Sequence, residues 1–216
     1  MNFRAILFDL DGTLLDTLAD IAESANQVLA ARGCATHPID AYRDFIGDGV
    51  VHLFGRALPE DRRGEEIVAE CVSSFRERYA EIWNVRTRPY EGVAELLDAV
   101  TARGLKMAIL SNKPHAFTRR CADAYFSAWP FQAVLGQRDG VPRKPDPAGA
   151  LLLAEELGVE PGECVYLGDS GSDMQTAVAA GMYPAGALWG FRTAEELTAA
   201  GAKTLLERPG ELLDLL

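Results

Sequence analysis

Two aspartates one residue apart, Asp9 and Asp11, close a short apolar run in "FDLDGT". Two more, Asp169 and Asp173, stand one helical turn apart in "GDSGSD" (168–173). Between these pairs lie Ser111 and Asn112, and a lysine, Lys144, in "RKPDP". Acids gathered at one place repel each other unless a cation neutralises them. Magnesium suits such an oxygen-rich set, because it keeps several waters and accepts a phosphate oxygen to complete its shell. Lys144 has no use as a metal ligand but serves well as a point charge on a phosphoryl group. Backbone N–H groups around Gly12 in "LDGT" and around "SN" suit the remaining phosphate oxygens. Such a set is equipment for phosphoryl transfer, in which positioning and charge neutralisation do most of the catalysis.

The first four residues of "GDSGSD" also match the loop around the nucleophilic serine of chymotrypsin-like proteases. That reading fails on context. Those enzymes are antiparallel β-barrels, whereas "CVYLGDSGSDMQTAVAAG" reads as strand, loop, helix. A triad needs a histidine oriented by a carboxylate, and none of His37, His52 and His115 has a convincing motif around it. The alternative elbow, GxSxG, needs glycine at 172, where Ser172 stands. Ser170 is therefore expected to be structural, and the aspartates to carry the loop.

The elements that must position these residues follow from the hydrophobic pattern. "FRAILF" (3–8) reads as a buried strand ending at Asp9. Thr17 with Asp20 reads as a helix start, stopped by Gly33. Further helical segments follow near 38–46, 48–58 and 61–82, with no convincing strand between Asp16 and Thr87. Beyond that, strands are expected at 106–110, 131–135, 164–168 and 183–189, separated by helices at 92–103, 114–124 and 171–180 and one opening at Asp146 and Pro147 as cap and first residue. Thr193 with Glu196 forms a capping box. Alternating strands and helices imply an α/β fold, a Rossmann-like parallel sheet with helices on both faces. The helical block is too long for a simple crossover. It reads as an inserted α-helical domain, 16–87, in a core formed by 1–15 and 88–216. Ligands of parallel sheets collect beyond the carboxyl ends of the strands, where the acids, Ser111 and Lys144 fall.

Bulk properties narrow the partners. Of the 216 residues, 48% are hydrophobic and 25% charged, an ordinary globular balance. A net charge of −11 repels nucleic acid and anionic membrane. No apolar run is long enough to span a bilayer. With an aspartate already at position 9, no secretory signal is expected. The four cysteines are scattered, with no CxxC pair, which argues for packed thiols in a reducing compartment. A cytoplasmic protein with a small-molecule partner is expected, as monomer or homodimer.

The four motifs together resemble the haloacid dehalogenase (HAD) superfamily, in particular its capped phosphatases. "DLDGTLLDT" (9–17), "LSN" (110–112), "RKPDP" (143–147) and "GDSGSD" match its four motifs in order. The resemblance implies that Asp9 attacks phosphorus and forms an aspartyl-phosphate. It implies that Asp11 protonates the leaving oxygen and then activates water, from a free or weakly held orientation. Asp9, Asp169 and the backbone carbonyl of Asp11 would hold Mg2+, supported by Asp173. Ser111, Asn112, Gly12 and Lys144 would bind the phosphoryl group.

The inserted segment "YRDFIGDGVVHLFGRAL" (42–58) and the linker "TRPYEGV" (87–93) are similar to those of bacterial phosphoglycolate phosphatases. In that family the insertion closes over the site as a cap and excludes water. Arg43 and the amides near Gly47 and Gly49 would meet a substrate carboxylate, with Asp48 repulsive unless it points away. His52 is expected as a partly buried helix residue. The resemblance implies a magnesium-dependent phosphatase for 2-phosphoglycolate. The rival readings are a sugar phosphomutase of the β-phosphoglucomutase type, a phosphatase for pyrophosphate, nucleotide or sugar phosphate, and a non-catalytic phosphate-binding regulator. A regulator is expected to lose Asp9, Asp11 or Lys144, and none is lost.

Overall fold

The computed structural model describes residues 2–216. It divides into two compact units, one made of the segment ending at Leu15 together with Pro89–Leu216, the other of Asp16–Arg88. In chain order the elements begin with β1 (Ala5–Phe8), β2 (Leu15–Asp16) and helices α1 (Leu18–Ala31), α2 (Tyr42–Phe45), α3 (Val50–Ala57) and α4 (Glu65–Ile82). Then come β3 (Arg88–Pro89), α5 (Val93–Ala102), β4 (Lys106–Pro114), α6 (His115–Tyr125), β5 (Phe131–Gln137) and α7 (Ala148–Leu157). The chain closes with β6 (Cys164–Gly168), α8 (Gly171–Ala179), β7 (Tyr183–Ala187), α9 (Ala194–Ala199) and β8 (Thr204–Leu206).

In the first unit six strands form one sheet in the order β5-β4-β1-β6-β7-β8. Every pairing in it is parallel. β1 and β6 are buried at every position. That is why they read as unbroken apolar runs rather than alternating ones. Helices surround the sheet, and α7 seals one face through Ala150, Leu153, Ala154 and Leu157 against Ala108, Leu110 and Tyr166. From β1 the chain builds outward to β4 and β5 on one side and to β6, β7 and β8 on the other. The strand order reverses at β1, and the crevice beyond its carboxyl end is where such sheets take ligands.

The second unit is helical. α1 and α3 pack on α4, and Phe75 stacks on Tyr79 at 5.3 Å while meeting Phe54 edge-on at 5.9 Å. The expected capping role of Thr17 and Asp20 does not form: Thr17 is the N-cap residue, but its side chain makes no cap bond. Asp20 is 1% exposed and turns instead to the far end of the unit. Its carboxylate accepts the Arg86 N–H at 2.9–3.0 Å, and the Thr87 N–H and hydroxyl both at 2.8 Å. A carboxylate facing three donors gains more from them than from one amide of its own helix.

Three other local expectations shift. α7 begins at Ala148, so Pro147 is the N-cap residue, and Asp146 Oδ1 accepts the Ala148 N–H at 2.8 Å from one position further back. β4 runs on past Leu110 to Pro114, and its polar residues Ser111, Asn112 and Lys113 are all buried. His52 is exposed rather than partly buried, with Nδ1 2.9 Å from the Asp48 carbonyl.

Candidate active site

Beyond the carboxyl ends of β1 and β6, Asp9 and Asp169 are 6% and 1% exposed. Their strands are direct neighbours, with Phe8 opposite Leu167. Asp173 on α8 completes the cluster, and one ligand oxygen from each of the three lies within 4.8 Å of the others. Lys144 projects into it. Its Nζ donates to Asp9 Oδ1 at 2.8 Å, to Asp173 Oδ1 at 2.6 Å and to the Leu110 carbonyl at 3.2 Å.

The second aspartates of the two motifs are held differently. Asp173 has both oxygens occupied: Oδ1 takes Lys144 and the Tyr166 hydroxyl, Oδ2 the Ser170 N–H and hydroxyl. Ser170 is thus the N-cap of α8 in a reciprocal capping box. Asp169 accepts Thr13 Oγ1 at 3.0 Å and the Phe191 N–H at 2.8 Å. Gly12 lies against this carboxylate at φ +96°, and a methyl group there would overlap it. Thr13 is fixed in turn by Trp189, whose Nε1 donates to its carbonyl at 2.9 Å.

Asp11 departs from the expectation of a weakly held carboxylate. Lys113 Nζ donates to its Oδ1 at 2.9 Å and its Oδ2 at 3.1 Å. Both groups are largely buried, and opposite charges attract more strongly where water is excluded. Asn112, expected at the phosphate, commits its side chain to Lys144. Its Oδ1 accepts the Lys144 N–H at 2.9 Å and its Nδ2 donates to the Lys144 carbonyl at 3.2 Å. Ser111 is 5% exposed, and its Oγ accepts the Lys113 N–H at 3.3 Å. In the helical unit, Arg43 pairs with Asp40 at 3.8 Å. The repulsive Asp48 is answered there by an ion pair with Arg56.

Sequence reasoning missed Thr13, Lys113, Tyr166, Trp189 and Phe191. Thr13 lies inside the first motif and Lys113 directly follows the second, which is the local signal they carry. The others are brought in by the sheet.

The electrostatics follow from two buried acids sharing one lysine, with a third buried acid beside them. Burial, then the Asp173 charge, pushes the Asp9 carboxyl up to about 7, against the pull of Lys144. Burial holds Asp169 well above the usual carboxylate range, with Asp9 and Asp173 adding to it. For Lys144, burial alone would lower the ammonium; Asp173 and Asp9 outweigh it and hold it well above its ordinary value. A buried set with this excess of negative charge, made of hard oxygen donors, fits a divalent cation. Asp9, Asp169 and Asp173 each offer one oxygen to such an ion, all within 4.8 Å of one another.

The haloacid dehalogenase-like hydrolase family model matches residues 3–181. A phosphoglycolate phosphatase of Xylella fastidiosa (strain 9a5c) is 37% identical over 217 residues, covering 95% of this chain and 90% of that one. A phosphoglycolate phosphatase of Aquifex aeolicus (strain VF5) is 33% identical, covering 99% and 96%. A solved structure from Lactobacillus delbrueckii subsp. bulgaricus superposes with a TM-score of 0.93 at 29% identity, covering 100% and 98%. Together with the four motifs at the strand ends, these make the chain a member of the haloacid dehalogenase-like hydrolases, and within them a phosphatase.

Proposed function

We propose that the chain is a magnesium-dependent phosphatase for 2-phosphoglycolate that works through an aspartyl-phosphate on Asp9. The observation that carries the chemistry is the Asp9–Lys144–Asp173 arrangement beside Asp169 at the switch point of the sheet. The substrate rests on the names of the relatives, which are phosphoglycolate phosphatases at 31–37% identity.

Asp9 keeps Oδ1 on Lys144, and its other carboxylate oxygen attacks phosphorus. The phosphorus–ester oxygen bond breaks, and the departing oxygen takes a proton from the Asp11 carboxyl. In the second step Asp11 takes a proton from water, which attacks the aspartyl-phosphate and releases phosphate with Asp9 restored. Lys144 and Ser111 hold the phosphoryl oxygens, helped by N–H groups around Gly12. Asn112 serves by fixing Lys144. Asp9, Asp169 and the Asp11 carbonyl would hold Mg2+, which when bound neutralises the clustered acids and draws charge from the phosphoryl oxygens. Asp173 anchors Lys144.

The helical unit acts as a cap, with Arg43 and the Gly47 and Gly49 amides receiving the substrate carboxylate. Among the described residues no helix is long and apolar enough to cross a membrane. With the net charge of −11, this supports a cytoplasmic enzyme that meets small metabolites, as monomer or homodimer, rather than nucleic acid or membrane.

The test is phosphate release from 2-phosphoglycolate, pyrophosphate, AMP and glucose 1-phosphate, with magnesium and then with EDTA. Magnesium-dependent preference for 2-phosphoglycolate is expected. Preference for another ester retains the chemistry and discards the substrate. Turnover unaffected by EDTA discards the metal.

A further inference from the structure

Lys113 has no role in the chemistry described so far, yet its side chain is only 4% exposed and spans both oxygens of Asp11. Asp11 itself is 12% exposed, so the pair is largely withdrawn from water. A buried ion pair is on balance a weak stabiliser compared with apolar side chains of the same volume. Its position next to the reacting groups calls for another reason.

The backbone is arranged to deliver this pair. Between the paired positions Leu110 and Pro114, β4 has three residues, while its neighbour β5 has only Gly136 between Leu135 and Gln137. The irregularity falls on Ser111, Asn112 and Lys113, and such bulges re-aim side chains next to active sites. It is anchored from outside by Thr118 Oγ1, which donates to the Lys113 carbonyl at 3.0 Å. Gly136 lies so close to that carbonyl that no side chain fits there. One tripeptide therefore sets both halves of the site: Asn112 fixes Lys144, and Lys113 fixes Asp11.

We infer that Lys113 is a positioning residue that holds the Asp11 carboxyl group for proton transfer to the departing ester oxygen. This rests on the proposed role of Asp11. Because the ammonium spans both oxygens, it keeps one while the other carries the proton that goes to the leaving group. As the phosphorus–oxygen bond breaks, its electron pair stays on the ester oxygen and the Asp11 proton joins it. Lys113 loses no proton and makes no contact with phosphorus.

A positioned acid matters for a poor leaving group and little for a good one. The test compares kcat/KM for 2-phosphoglycolate and p-nitrophenyl phosphate in the wild type, Lys113→Met, Lys113→Arg and Asp9→Asn, all with magnesium. Misplacing a proton donor costs on the order of a hundredfold. Lys113→Met is expected to lose about that much on the alkyl ester and less than about fivefold on the aryl ester, with Lys113→Arg recovering part of the alkyl loss. Lys113→Gln serves as the second neutral variant should Lys113→Met fail to fold by circular dichroism. In an Asp11→Asn background, Lys113→Met is expected to change residual turnover of either ester no further. Equal losses on both esters, or an undiminished effect in the Asp11→Asn background, overturn the inference. Retained turnover in Asp9→Asn overturns the underlying mechanism instead, so the two failures are told apart.

Discussion

The side chain of Asn112 brackets the backbone of Lys144, accepting its N–H at 2.9 Å and donating to its carbonyl at 3.2 Å. These two bonds tie the loop after β5 to the end of β4, and they aim the Lys144 ammonium at Asp9. Asn112→Ala removes both while leaving every charged residue in place. Turnover is expected to fall roughly tenfold to a hundredfold, as a misplaced catalytic charge does, with the melting temperature only modestly lowered. Steady-state phosphate release checks this. Wild-type turnover in the folded variant would show that the loop holds Lys144 without Asn112.

Lys144→Met tests the charge itself. It leaves the buried Asp9 and Asp173 carboxylates without their ammonium. Breaking a buried ion pair by removing one partner costs about 3–5 kcal/mol. The midpoint of urea unfolding is expected to move down accordingly, and phosphatase activity to vanish. Unchanged unfolding would mean that the cluster does not depend on Lys144 for neutralisation.

The raised Asp9 carboxyl gives a pH dependence. Its value of about 7 in the fold lies above the ordinary 3.8, so the folded state disfavours the ionised form. The sign is a cost absent below about pH 4 and fully present above about pH 7. Asp9→Asn removes the charge at every pH. In EDTA, the variant is expected to melt close to the wild type near pH 4 and progressively above it as the pH rises to 8. Magnesium, by binding the ionised form, is expected to stabilise the wild type more at pH 8 than at pH 5. A melting difference constant across that range would contradict the assignment.

Asp20→Ala tests the closure of the helical unit. The Arg86 and Thr87 N–H groups and the Thr87 hydroxyl lose their shared acceptor. Bonds to a charged acceptor are worth about 1.5–3 kcal/mol each, without full additivity, so a loss of about 3 kcal/mol is expected. Hydrogen exchange at Arg86 and Thr87 should accelerate while exchange in β1 and β6 stays slow. Unaltered exchange at 86–87 would refute the clamp.

How far these features could be read beforehand depended on the range of the interaction. The unbroken apolar runs of β1 and β6 announced buried parallel strands, because a strand covered on both faces has no polar side to show. The aspartates that follow those strands were legible for the same reason: an acid has no packing role at the end of a buried strand. Thr193 with Glu196 specified its own helix start within four residues.

Asp173 takes Ser170 from within its own capping box, but the donors of Asp20 and Asp11 were decided by the tertiary structure. Asp20 carries the local pattern of a helix cap and closes the helical unit instead, since its partners lie 66 and 67 residues further on. Asp11 finds Lys113 across 102 residues, and Asn112 finds Lys144 across 32. Residue type and local spacing set what each group is able to do. Which charges meet is set by the sheet, because parallel pairing brings together strand ends that are remote in sequence, and buried charges take the partner that geometry leaves within reach.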